Sequence, residues 1–129
     1  MKSKYLKNIS LLIVLIILLS YSIIPVFASS DYYESTYNGY NYDCRSKLYS
    51  NELYGEMNYA GSSKISVEAS YHFIDTIYMI PYYDIITSIP QNSYAGVAAQ
   101  LMDPQLNFID AYYIYNIGPN AVYTTGLIY

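Results

Sequence analysis

A chain of 129 residues with 20 tyrosines, three phenylalanines, no tryptophan, one cysteine and a net charge of −4 excludes several classes of protein at once. A single cysteine forms no internal disulfide, and six basic residues against ten acids leave no basic patch for nucleic acid.

Residues 1–28 read as a secretory signal peptide. Lys2, Lys4 and Lys7 give a positive start, LLIVLIILL (Leu11 to Leu19) an uncharged apolar stretch and Pro25 a break, while Val26 and Ala28 form a cleavage site. Cleavage after Ala28 releases a chain that begins at Ser29. The alternative is an uncleaved membrane anchor, since Ile9 to Ala28 approaches the ~20 apolar residues that span a bilayer. Cys44 lies too far past the cut to receive a lipid. Loss of the three lysines leaves Arg45, Lys47 and Lys64 against all ten acids, a net charge of −7 for the exported chain. The expected partner is an extracellular protein, glycan or cell-envelope component that is neutral or positive, and not a nucleic acid.

Residues 29–44 hold Tyr32, Tyr33, Tyr37, Tyr40 and Tyr42 and no aliphatic side chain. The stretch is therefore expected to be a Tyr-rich polar arm or linker, with too little apolar surface to offset its ordering entropy. It either folds back onto the domain or contacts a partner through its phenols.

A folded domain is expected over residues 45–129, where two-residue alternation predicts strands. From Lys64 to Phe73, Ile65, Val67, Ala69, Tyr71 and Phe73 share one face, and Lys64, Ser66, Glu68, Ser70 and His72 the other. The run before it, Leu48 to Tyr59, puts Tyr49, Leu53, Met57 and Tyr59 opposite Glu52, Glu56 and Asn58, and AGSS (Ala60 to Ser63) turns the pair into a hairpin. Residues 74–92 are nearly all apolar around Pro81 and Pro90, which fits either two short strands or a crossover loop. Ala95, Val97, Ala99 and Leu101 then share a face. A last hairpin runs from Leu106 to Tyr129 around Gly118, Pro119 and Asn120, with Ile109, Ala111, Tyr113, Tyr115 and Ile117 predicted inward. The expectation is an all-β fold: a small antiparallel two-sheet sandwich of five to seven strands, or a flattened barrel.

Chemistry is sparse. Ser70, His72 and Asp75 are the only residues that suggest a catalytic triad, and strand neighbours on one flat face lack an oxyanion donor and a pocket. Cys44 and His72 have nothing local to orient the ring or lower the thiol pKa. One His and one Cys are too few for zinc. Asp75, Asp84, Asp103 and Asp110 are too scattered for a calcium loop. Glu52 and Glu56 stand ~13 Å apart along a strand, beyond the usual glycosidase separation. No catalytic residue, metal site or cofactor is expected.

The surplus of tyrosine points instead to binding. Tyr78, Tyr82 and Tyr83 in YMIPYY are the first candidates for an aromatic contact surface, and Tyr32, Tyr33, Tyr37, Tyr40 and Tyr42 the second. The expected function is noncovalent binding outside the cell. Envelope contact with antimicrobial action is one version, a glycan-binding or self-assembling matrix protein the alternative, and a small hydrolase the least favoured. In size, export signal and β pattern the chain resembles small secreted bacteriocins of the lactococcin type from Gram-positive bacteria. No motif carries that resemblance, and it assigns no role to any residue.

Overall fold

Alternation of side chains organises the chain from Ser29 onward. A computed structural model describes residues 28–129, so the signal or anchor segment expected over 1–28 lies, except for Ala28, outside the described residues. Eight strands follow: β1 (Ser29–Tyr37), β2 (Tyr40–Leu48), β3 (Glu52–Tyr59), β4 (Ile65–Asp75), β5 (Pro81–Thr87), β6 (Tyr94–Gln100), β7 (Leu106–Ile117) and β8 (Asn120–Ile128). They form two four-stranded sheets, β1-β2-β3-β6 and β5-β4-β7-β8, antiparallel throughout. Neither sheet closes, so the architecture is a sandwich and not the flattened barrel.

Eight strands replace the expected five to seven because residues 29–44 are not an arm. They are β1 and the first half of β2, paired from Ser29↔Leu48 to Tyr37↔Tyr40. The turn is Asn38-Gly39, both with positive φ (51° and 81°), the backbone that lets a two-residue hairpin match the strand twist. Phenols supply the inward face that aliphatic residues do not. Tyr33 stacks on Tyr123 of β8 at 4.2 Å and 5°. The Tyr123 hydroxyl donates to the Asp31 carboxylate, which is held below its ordinary pKa chiefly by that bond.

Between the sheets lie Leu48, Leu53, Met57, Ile65, Val67, Phe108 and Ile117, together with the rings of Tyr113 and Tyr115. Two buried phenols in an apolar core need partners for their hydroxyls. Tyr113 donates to the Lys47 carbonyl and Tyr115 to the Arg45 carbonyl, each at 2.8 Å, so both reach across from β7 to β2. Tyr115 also meets the buried Ser46 hydroxyl at 2.5 Å. Tyrosine here is core residue and cross-sheet tie together.

The predicted inward faces of β3, β4 and β6 are the observed ones, since Leu53, Met57, Tyr59, Ile65, Val67, Ala69, Tyr71, Ala95 and Val97 are buried. In β7 one assignment changes. A bulge between His72 and Phe73 pairs Phe73 with Phe108 and skips Ile109, so Phe108 enters the core where Ile109 was expected. Within residues 74–92, β4 ends at Asp75 and Pro81–Thr87 is the one further strand. It is an edge strand opened by proline, whose missing N–H leaves no partner wanting there.

Candidate functional site

The loop of residues 76–80, between β4 and β5, is built around one carboxylate. Asp75 Oδ1 accepts the backbone N–H groups of Ile77 (2.8 Å) and Tyr78 (2.9 Å), while the Asp75 carbonyl accepts that of Met79 (2.8 Å). Met79 takes a left-handed backbone (φ 56°), and the Asp75 N–H closes the loop on the Ile80 carbonyl at 3.0 Å. Thr76 then ties it to the neighbouring β6–β7 connection, since its N–H and its hydroxyl both donate to the Gln105 carbonyl at 2.8 Å. That connection is itself turned by Asp103, which accepts from the Gln105 N–H at 2.9 Å.

With the polar backbone turned inward, the side chains project outward. Ile77 is 59 % exposed, Tyr78 70 %, Met79 68 % and Met102, on the adjoining connection, 84 %. Ile80 is exposed as well. Sequence reasoning singled out Tyr78 here and passed over Ile77, Met79, Ile80 and Met102. Their signal was an apolar run placed directly before a proline that could not continue a central strand.

Tyr82 and Tyr83, the other two first candidates, point to opposite faces because they are neighbours on a strand. Tyr82 stacks on Phe73 at 5.1 Å and 15°. Tyr83 lies on the outer face of its sheet beside His72, with ring centroids 5.0 Å apart, where Ile85 and Tyr112 are also exposed. Of the second candidates, Tyr42 is buried, Tyr33 and Tyr37 are packed among other tyrosine rings, and Tyr40, though half-exposed, sets its ring edge-on to Tyr59, while Tyr32 faces out.

The groups examined for catalysis are dispersed or engaged elsewhere. His72 Nδ1 lies 2.8 Å from Asp110 Oδ1, so Asp110, and not Asp75, is its carboxylate partner, on an exposed sheet face. Asp75 and Asp103 hold turns, and Asp84 accepts from the Ile85 N–H at 2.8 Å. Among the described residues no group of three His, Cys, Asp or Glu could hold a metal ion. Glu56 is bound by the Tyr54 hydroxyl and lies 3.6 Å from Arg45. A groove of about 670 Å³ crosses β1, β2 and β3 among Tyr32, Glu34, Thr36, Asn41, Asp43 and Asn58, away from His72.

Cys44 is 1 % exposed. Burial first, and then the charges of Asp43 and Asp31, push its thiol up to about 12, the reverse of what a nucleophile needs. The native protein is therefore expected to leave a thiol-reactive dye unlabelled and to react stoichiometrically once denaturant opens the sandwich. Rapid native labelling would contradict this placement. No family profile, curated protein or solved structure matches the chain.

Proposed function

We propose that the protein is an exported binding module that holds a cell-envelope component noncovalently through its apolar end and turns over no substrate. The observation that carries this reading is the tied loop presenting Ile77, Tyr78, Met79 and Ile80 to solvent beside Met102. Contiguous apolar patches of this kind are uncommon on proteins that work alone in water, and a backbone this fully bonded keeps the patch in place before any partner arrives. Antimicrobial action is the form that the bacteriocin resemblance suggests. Exported protein is expected to be retained on intact bacterial cells, and Ile77→Ser combined with Met79→Ser should lower that retention by at least tenfold while the melting temperature stays unchanged. Equal retention of parent and variant would refute the reading, and growth inhibition on bacterial lawns tests its antagonistic form.

A second reading is favoured by the groove. An exposed Tyr32 ring, with Glu34, Asp43 and Asn58 beside it, offers the flat aromatic surface and planar acceptors that sugars use. Retention on polysaccharide that Tyr32→Ala removes, and the loop variants do not, would place binding there.

A further inference from the structure

We infer that the component held at the apolar end is the interface of an electroneutral lipid bilayer, on which the sandwich stands upright; the inference rests on the envelope-binding reading above. Strand register gathers five features at this one end. The pairs Ser29↔Leu48, Leu53↔Ala99, Asp75↔Leu106 and Asp110↔Ile128 place there the start of β1, the β2–β3 turn, loop 76–80, the β6–β7 connection and the C-terminus. The sheets are tied together there, as the Phe108 N–H of β7 donates to the Ser50 carbonyl of the β2–β3 turn (2.7 Å), while the Leu101 N–H, donating to the Asn51 carbonyl (2.8 Å), carries the β3–β6 pairing into the same end. Ile128 is a further exposed apolar side chain toward this end, on β8 and level with Asp110. The opposite end is built of Asn38-Gly39, Gly61 to Lys64, Gly118-Pro119 and Gln91 to Ser93, with Ile89 its one exposed large aliphatic residue, beside Tyr40 and Tyr94, among the described ones.

Shape and side-chain type separate a bilayer from a protein partner. The apolar residues sit on loop tips, away from the groove lined by Tyr32 and Asn41, which suits a fluid acceptor. Beside Ile77, Met79 and Ile80 stand the phenols of Tyr78, on the same loop, and of Tyr82, one residue into β5, the amphipathic rings that settle at headgroup depth. Charge selects the lipid. The ionic groups near this end are Glu52, Asp75, Asp103 and Asp110 against Lys47, and the exported chain carries −7 in all, so anionic lipid repels it where neutral lipid does not. The chain also reaches β1 at this end, and in sequence the apolar run Leu11 to Leu19 lies directly upstream.

The test uses an environment-sensitive dye on the Met79→Cys variant, with Ser62→Cys as the control at the far end. Buried Cys44 stays unlabelled in both. With phosphatidylcholine vesicles the Met79 site should shift to the blue and the Ser62 site should not. Ile77→Ser and Ile80→Ser should each lower vesicle affinity by about tenfold, and adding phosphatidylglycerol should weaken it several-fold. No shift at Met79 on any vesicle overturns the bilayer, and stronger binding with phosphatidylglycerol overturns its electroneutral character. Retention on cells without a shift at Met79 leaves the envelope reading standing with a protein or glycan as the component. Loss of both removes the two together.

Discussion

Base should unfold this protein in one steep transition beginning near pH 10. Cys44, Tyr113 and Tyr115 are buried, and burial raises each above its ordinary value of 9.0 for the thiol and 10.0 for the phenols. A group raised in this way favours its protonated form in the folded state. Its stabilisation is whole below the unfolded pKa and is lost as pH climbs toward the folded one, because the unfolded chain releases a proton that the native chain retains. Each group contributes a slope of ~1.4 kcal/mol per pH unit in that window, and three together about 4 kcal/mol per unit. A domain of this size, stable by roughly 5–15 kcal/mol, loses that margin within about two or three units. Near-ultraviolet circular dichroism and the phenolate absorbance of these buried rings should therefore change together. Native dichroism that persists while every tyrosine ionises would mean that the two phenols of β7 are not shielded as described.

How much of this was legible in sequence depended on what kind of residue supplied the inward face. Where aliphatic residues alternate, as at Ile65, Val67 and Ala69, period alone gave strand and orientation. Where tyrosine supplies it, as at Tyr33 and Tyr37, the same period was present but read as polar, because a phenol's preference depends on whether its hydroxyl finds a partner, and those partners come from strands far away in sequence. One local signal in β1 and β2 needed no partner: Asn38-Gly39 between alternating residues marks a hairpin without tertiary information. The bulge that exchanges Ile109 for Phe108 is a property of two strands and has no trace in either one alone. The apolar end divides in the same way. Asp75 at the head of an apolar run was read as a scattered acid or a weak triad member, though its carboxylate caps the loop that exposes that run. The adjacency of Met102 depends on Thr76 meeting Gln105, a contact between residues that sequence does not bring together.

Gly55→Val should cost about 3 kcal/mol, and the reason is the ring opposite it. Gly55 lies on the inner face of β3, where an added Cβ would stand 2.8 Å from Tyr113 Cδ1, 3.0 Å from Cε1 and 3.3 Å from Val67 Cγ1. Carbon atoms do not approach so closely, so the ring has to move, and it has little freedom to do so. Its hydroxyl is fixed to the Lys47 carbonyl at 2.8 Å and the side chain is fully buried. Tyr113→Leu alone should cost a similar ~3 kcal/mol, by leaving a void and taking the donor from that carbonyl. The two together should cost about 4 kcal/mol and not about 6, because a leucine shortens the obstacle just where valine adds bulk, and residues in direct contact couple on that scale. Denaturant unfolding of the four proteins measures the cycle. Strict additivity would mean that valine is accommodated by movement of β3 itself, and then the narrow spacing of the sheets at this point is not what requires glycine at position 55.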